Sequence, residues 1–235
     1  MGTPRVIIPL DVSSAEAALK LVVTLAPHVD SFKVGLQLTG RIGLPVAVKI
    51  VRDHGGKCLV DHKLHDIPNT VVEAVQAIVD HGASAFTIHA SAGPEVLQAA
   101  AKVKGNVKMY AVTVLTSMDT MECLMLYKDS PEMTVRHLAE VALAAGADGI
   151  ICSPKEVALL RQTFGLNFLI ITPGVRPSWA STDDQSRIMT PGDAIKAGAD
   201  FLVVGRPITQ PPTAIGSSLD AVQCVNEEIR LALET

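Results

Sequence analysis

The chain has 235 residues, a length that fits one or two domains. Hydrophobic residues make up 48% of it, which excludes a disordered chain, and aromatic residues make up only 3%, too few for a single-strand nucleic-acid binder that stacks bases. The net charge of −4 comes without any block of lysine and arginine, which argues against a nucleic-acid partner.

The sequence has no targeting signal and no candidate membrane span. Its uncharged apolar runs are shorter than the ~20 residues that a membrane-spanning helix needs. The apolar run between Arg5 and Asp11 is too short for a signal peptide. Four scattered cysteines without a C-x-x-C pair favour free thiols in a reducing compartment. We therefore expect a cytoplasmic protein with no membrane partner.

Short apolar runs alternate with amphipathic stretches along the whole chain. The runs predict strands over residues 5–11, 31–38, 57–63, 85–90, 108–115, 149–153, 167–175 and 201–207. The stretches predict helices over 14–26, 45–54, 68–81, 94–103, 131–145, 154–163, 191–197 and 213–234. Proline in the first turn is typical of a helix start, and six helices have it: Pro45, Pro68, Pro94, Pro131, Pro154 and Pro191.

A Gly-Ala junction recurs where helices lead into strands. Gly82, Gly146 and Gly198 each follow a predicted helix, at the position where a left-handed glycine ends it. Eight strands, each followed by a helix, predict a (β/α)8 TIM barrel formed by residues 1–235 as one domain. A doubly wound open sheet is the alternative, but no G-x-G-x-x-G follows the first strand to favour it.

The predicted barrel directs attention to the carboxyl ends of its strands, where working residues of this fold lie. These ends carry many polar residues, namely Asp11, Lys33, Asp61, Lys63, His89, Thr116, Arg176 and Arg206.

The third strand contains an acid and a base two residues apart. Asp61 and Lys63 share one face of the strand, and His62 points to the other. A structural salt bridge would explain the pair alone, and Asp66 could simply cap the helix that Pro68 opens. Lys33 and Asp11 at neighbouring strand ends favour a functional cluster instead.

Two Gly-Arg segments end the last two strands. Gly174-Val175-Arg176 and Gly205-Arg206 are either ordinary turns or, at the usual phosphate position of a barrel, a site for a phosphorylated substrate. Residues 177–187 between them are polar and long enough to form a lid over the phosphate.

The segment Asp61-x-Lys63-x-x-Asp66-Ile67-Pro68-Asn69-Thr70 resembles the signature of the orotidine 5′-phosphate decarboxylase family. The similarity covers nearly the whole chain, and it includes the segments Leu10-Asp11, Phe32-Lys33-Val34-Gly35, Ile88-His89-Ala90, Val112 to Ser117, Thr172 to Arg176, Asp184-Gln185 and Val204 to Pro207. The D-x-K-x-x-D core is shared with other sugar-phosphate enzymes, whereas Ile-Pro-Asn-Thr and the late Gly-Val-Arg with its Gln are more specific.

The resemblance implies roles for individual residues. Lys33, Asp61, Lys63 and Asp66 of the partner subunit would form an alternating charge network around a pyrimidine. Asp11 would bind a ribose hydroxyl, and Thr116 would contact the base. The remaining substrate-binding positions are Thr70 and, for the phosphate, Arg176, Gln185, Gly205 and Arg206.

The implied reaction is the decarboxylation of orotidine 5′-monophosphate to uridine 5′-monophosphate, the last step of de novo pyrimidine nucleotide synthesis. We see no cofactor fingerprint, so Lys63 would stabilise the carbanion at carbon 6 and then protonate it. The implied enzyme is a homodimer with shared sites. Two positions depart from the family pattern: His62, expected to affect packing, and Pro9, expected to perturb pairing of the first strand.

Three alternatives remain open from the sequence. A magnesium-dependent sugar-phosphate decarboxylase or epimerase would share the barrel and the D-x-K-x-x-D core. A metal site from His62, His65 and His89 is disfavoured because His62 should face away from Asp61. A non-catalytic phosphate-ligand binder is disfavoured because the charged residues of the signature are all present.

Overall fold

A computed structural model describes residues 5–180 and 189–234, in which eight parallel strands form a closed barrel in sequence order. The strands are β1 Val6–Pro9, β2 Ser31–Gly35, β3 Lys57–Leu64, β4 Ala85–His89, β5 Lys108–Val112, β6 Gly149–Ile151, β7 Leu169–Thr172 and β8 Phe201–Val203. The helices are α1 Ala15–Leu25, α2 Leu36–Ile42, α3 Leu44–Asp53, α4 Pro68–Asp80, α5 Pro94–Val103, α6 Thr120–Tyr127, α7 Pro131–Ala144, α8 Val157–Phe164, α9 Pro191–Lys196, α10 Arg206–Thr209 and α11 Ser218–Leu233. The predicted (β/α)8 barrel is confirmed, and the open sheet is excluded.

The strands separate two hydrophobic clusters. The cluster inside the barrel contains Ile7, Leu59, Ala85, Tyr110 and Ile171. The larger cluster lies between the outer faces of the strands and the helices. Both faces of a strand are thus covered, which explains why the strands are continuous apolar runs and not alternating ones.

The sequence signals for helix boundaries are confirmed. All six predicted prolines lie in the first turn of an α-helix or, for Pro154, of a 3-10 helix. Gly82, Gly146 and Gly198 have φ angles of 76°, 95° and 108°, the left-handed conformation that glycine adopts most easily.

Several predicted strands are too long at their carboxyl ends. The strand predicted over 31–38 ends at Gly35 because α2, which the periodicity missed, starts at the next residue. The strands predicted to reach residues 115, 175 and 207 end at Val112, Thr172 and Val203. The ladder with the neighbouring strands stops at these points. The residues that follow form loops at the mouth of the barrel or, from Arg206, the short helix α10.

The last helix also starts later than predicted. α11 begins at Ser218, not near residue 213, because Ser217 and Asp220 form a capping box and Gly216 before them has a left-handed φ of 101°. Within the described residues, no helix is both long and apolar enough to span a membrane.

Candidate active site

A cavity of about 310 Å3 opens at the carboxyl end of the barrel strands. The structure brings eight of the predicted site residues to its wall, namely Asp11, Lys33, Asp61, Lys63, Thr116, Arg176, Gly205 and Arg206. They lie in or just after six different strands, so only the closed barrel makes them neighbours. Apolar groups such as Leu59, Val112 and Ile151 form much of the remaining wall.

Four charged groups of alternating sign form a row along one side of the cavity. Lys33 Nζ lies 2.9 Å from Asp61 Oδ2 and 3.7 Å from Asp11 Oδ1. Lys63 Nζ lies 2.9 Å from Asp61 Oδ1. Asp61 is buried and bridges both lysines, one with each carboxylate oxygen, whereas Asp11 at the end of the row is exposed.

The row holds its central groups in their charged forms. Burial alone would raise the pKa of Asp61, but the ammonium groups of Lys33 and Lys63 lower it to about 2. Burial alone would lower the pKa of Lys33, but Asp61 and Asp11 outweigh it and raise that pKa. Asp61 is thus deprotonated and Lys33 protonated at neutral pH.

The strand alternation explains which side chains enter the cavity. Leu59 belongs to the cluster inside the barrel and Val60 to the one outside, so Asp61 and Lys63 continue the inner face. His62 points outward as predicted, and its Nε2 lies 3.0 Å from Thr39 Oγ1 of α2. Burial lowers the pKa of His62, which favours its neutral form as a packed residue.

Thr87 of β4 contacts both members of the Asp61-x-Lys63 pair, and the sequence reasoning missed it. Its hydroxyl donates to Asp61 Oδ1 at 3.0 Å and accepts the backbone N–H of Lys63 at 2.9 Å. Ala85 lies inside the barrel, so the period of two places Thr87 inside as well. The signal that could have identified Thr87 is a polar residue at an inward-facing position of a buried strand.

The loops after β7 and β8 bring the two Gly-Arg segments to the cavity wall. Arg176 is buried after β7, and its backbone N–H donates to the carbonyl of Met189 at 3.0 Å. Arg206 is exposed at the start of α10. A Cβ on Gly205 would lie 3.1 Å from Cγ of Pro9, so glycine at this position leaves room for the proline ring.

Pro9 fits the first strand because the ladders there need no N–H from it. Pro9 pairs with Lys33 of β2, and the next residue, Leu10, donates to the Lys33 carbonyl at 2.8 Å. Pairing of β1 with β8 covers only Val6 and Ile7. The expected disturbance is thus limited to the end of the strand.

Other predicted positions lie away from the cavity wall. Asp66 and Thr70 are exposed, and neither lines the cavity of its own chain. Asp66 does not cap α4, whose N-cap is Ile67; its carboxylate accepts the Ile67 N–H at 2.7 Å. Because this contact precedes the helix, the capping interpretation was wrong. Gln185 and most of the predicted lid over 177–187 lie outside the described residues.

The histidines near the signature form a pair at the rim. The rings of His65 and His89 meet edge to face with centroids 5.6 Å apart. Burial, the neighbouring His65 and Lys63 lower the pKa of His89. The described residues contain no group of three or more histidine, cysteine or acidic side chains arranged to hold a metal ion.

Comparisons with known proteins agree on one family. The sequence model described as "Orotidine 5'-phosphate decarboxylase / HUMPS family" matches residues 4–215. A relative from Syntrophotalea carbinolica, named orotidine 5′-phosphate decarboxylase, is 44% identical over 98% of this chain and 96% of its own length. A relative of the same name from Geotalea daltonii is 42% identical over 96% and 95%.

Solved structures give the same result. The crystal structure of orotidine 5′-phosphate decarboxylase from Lactobacillus acidophilus matches with a TM-score of 0.82 and 34% identity. The match covers 97% of this chain and 99% of that one.

Proposed function

The chain belongs to the orotidine 5′-phosphate decarboxylase / HUMPS family, and from this membership together with its cavity we infer its activity. It decarboxylates orotidine 5′-monophosphate to uridine 5′-monophosphate, in pyrimidine nucleotide synthesis. The observation that carries this function is the row Asp11, Lys33, Asp61 and Lys63 on the wall of a cavity that Arg176 and Arg206 also line.

The chemistry requires a cation where negative charge develops. The bond between carbon 6 of the pyrimidine and its carboxylate breaks, carbon dioxide leaves, and the electron pair stays on carbon 6 in an orbital outside the ring π system. The Lys63 ammonium stabilises that charge and then transfers its proton to carbon 6. Because Asp61 and Lys33 hold Lys63 in place before the reaction, little reorganisation is needed in the transition state.

The phosphate binds where the Gly-Arg segments after β7 and β8 line the cavity. Arg176 and Arg206 supply planar guanidinium groups suited to a phosphate dianion, and Gly205 lets the backbone approach it closely. Asp11 binds a ribose hydroxyl and Thr116 contacts the base, while Gln185 completes the phosphate site. Binding energy from the phosphate thereby holds the ring against Lys63.

The decisive experiment follows the ultraviolet absorbance of orotidine 5′-monophosphate during incubation with the purified protein in excess chelator. Loss of the substrate absorbance with formation of uridine 5′-monophosphate supports the function. Dependence on added magnesium would instead support the sugar-phosphate alternative, and binding without turnover would support a phosphate-ligand binder.

Lys63→Ala tests the assigned proton donor. We expect turnover to fall below detection while uridine 5′-monophosphate still binds, because the phosphate side is unchanged. Lys57→Ala is the matched control: Lys57 begins the same strand and pairs with Asp30 away from the cavity, so its loss should leave turnover intact. Substantial turnover by a clean Lys63→Ala preparation would contradict the role.

We further propose a homodimer whose sites are shared. Asp66 lies on an exposed loop and does not line the cavity beside Asp61 and Lys63 of its own chain. Ile67 beside it is 65% exposed, which suits a loop that is covered by another subunit. Asp66 and Thr70 of the partner subunit would then complete each site, and the two-fold interface would exchange one such loop each way.

The remaining assignments concern the chain as a whole. We propose that residues 1–235 act as one catalytic domain, since the eight strands of a single barrel extend from Val6 to Val203. The four free cysteines, three of them buried, support a reducing, cytoplasmic location.

A further inference from the structure

We propose that Thr87 is a positioning residue, whose hydroxyl fixes the Lys63 backbone and the Asp61 carboxylate relative to one another. The inference rests on the proposed function, because it assigns the residue that supports the proton donor of that reaction. Thr87 itself does not line the cavity.

The first observation is an irregular ladder between β3 and β4. Val60 pairs with Phe86, and the next pair joins Leu64 to Ile88. Three residues of β3, from Asp61 to Lys63, therefore lie opposite the single residue Thr87. Such a bulge leaves backbone groups without their ladder partners and redirects side chains, and bulges of this kind are frequent beside active sites.

The second observation is the conformation of Lys63. Its φ angle is +49°, in the left-handed region that residues other than glycine rarely adopt. This conformation belongs to the bulge, and a contact from outside β3 is needed to keep the segment in it. The backbone N–H of Lys63 donates to Thr87 Oγ1 at 2.9 Å in place of a carbonyl of β4.

The third observation is the direction of the hydrogen bonds at Thr87. A hydroxyl has one proton, and here it goes to Asp61 Oδ1 at 3.0 Å, the same oxygen that receives Lys63 Nζ at 2.9 Å. Thr87 is fully buried, so water does not compete for these bonds. The Thr87 hydroxyl thus contacts both the backbone of Lys63 and the carboxylate of Asp61.

In the described part of the chain, Thr113, a second buried threonine of the barrel, does not contact charged side chains in this way. Thr113 is also buried, and its hydroxyl donates to the backbone carbonyl of Ile151 at 3.0 Å. Removing the Thr113 hydroxyl affects only a backbone contact, whereas removing that of Thr87 affects the reacting pair. Thr113 therefore provides a matched control.

The test compares Thr87→Val, Thr87→Ser and Thr113→Val in the intact chain. Valine keeps the shape of threonine, so Thr87→Val should lower kcat by about 10- to 100-fold, the range expected when a charged group loses a hydrogen bond and its alignment. Affinity for uridine 5′-monophosphate should stay near that of the wild type, because the phosphate side is unchanged. Thr87→Ser should restore most of kcat, and Thr113→Val should keep it.

Equal kcat for Thr87→Val and the wild type would overturn the inference, as would equal losses in Thr87→Val and Thr113→Val. Should Thr87→Val fail to fold, hydrogen exchange in the wild type decides instead: the Lys63 amide should be protected, and rapid exchange would contradict the contact. A wild-type chain without turnover overturns the proposed function, and the exchange of the Lys63 amide then still judges Thr87.

Discussion

The two arginines of the proposed phosphate site differ in their contact with solvent. The guanidinium of Arg176 is buried and donates to the carbonyl of Val175 at 3.1 Å, whereas Arg206 is exposed on α10. Arg176 is therefore packed within the cavity wall, and truncating its side chain would disturb the structure of that wall. Arg206 is the better residue for separating binding from structure.

Arg206→Ala should lower kcat/KM for orotidine 5′-monophosphate by the equivalent of ~1.5–3 kcal/mol, the usual loss for a hydrogen bond to a charged group. Decarboxylation of the nucleoside without phosphate should change far less. Steady-state kinetics on both substrates measure the difference, with Arg136→Ala on the exposed surface of α7 as control. Equal losses on both substrates would make Arg206 a structural residue.

Individual residues differ in how well the sequence predicts them. Asp61 and Lys63 could be assigned to the inside of the barrel, because a strand alternates with a period of two. Thr87 could not be assigned its role, because that role depends on a bulge between two strands, and no local pattern shows it. Asp66 could be placed outside the third strand. Whether its carboxylate enters the site of its own chain or of a partner cannot be predicted from one sequence, because it depends on how two chains assemble.

At the scale of elements, the Gly-Ala junctions hydrogen-bond to neighbouring strands at the end of the barrel opposite the cavity. Asp148 donates its N–H to the Met109 carbonyl and accepts the Met109 N–H on Oδ2, both at 2.9 Å. Asp200 makes the same two contacts with Ile170. Ser84, at the equivalent place, donates its backbone N–H to Cys58. Each Gly-Ala junction thus hydrogen-bonds the start of one strand to the strand before it in the barrel.

Asp148→Ala should destabilise the fold by about 1–3 kcal/mol, because a backbone N–H loses its acceptor and Lys104 and Lys108 lose their carboxylate. Chemical denaturation measures this change, and kcat of the folded enzyme should stay unchanged. Ser84→Ala, at the equivalent junction, should have a much smaller effect. A fall in kcat without loss of stability would contradict the assignment.

The same carboxylate gives this effect a pH dependence. Burial alone would raise the pKa of Asp148, but the Met109 N–H and the two lysines outweigh it and lower that pKa. A lowered pKa in the folded state stabilises the fold at pH values above the unfolded-state pKa. The advantage over Asp148→Ala should therefore be full at neutral pH and shrink as the pH falls through the acidic range.

At the scale of the whole molecule, the proposed shared site makes a test by subunit exchange possible. Lys63→Ala and Asp66→Asn should each be inactive alone. In a mixed dimer one site carries both lesions and the other carries neither, so mixing should restore activity as subunits exchange. An independent label must show the exchange, and exchange without activity would place Asp66 in its own chain.

The overall architecture was predictable because its signals repeat along the chain. Six of the eight predicted helices begin with a proline and three of these lead into a Gly-Ala junction, so an error in one unit does not change the count of eight. The ends of the strands were not predictable, since the ladder stops where a neighbouring strand stops. α2 was missed because its first residue, Leu36, directly follows an apolar strand, so the sequence shows no break between the two elements.

The alternating row has a consequence for how the substrate reaches the cavity. Two carboxylates and two ammonium groups cancel, so the field of the row decays within a short distance and discriminates only a ring in contact with it. The chain as a whole carries −4 and repels an anionic nucleotide from afar. In the proposed phosphate site, attraction comes instead from the two arginines, within the screening length of ~8 Å at physiological ionic strength. Under the proposed assignments, separate charges govern capture of the nucleotide and recognition of its base, and we expect added salt to weaken the first while sparing the second.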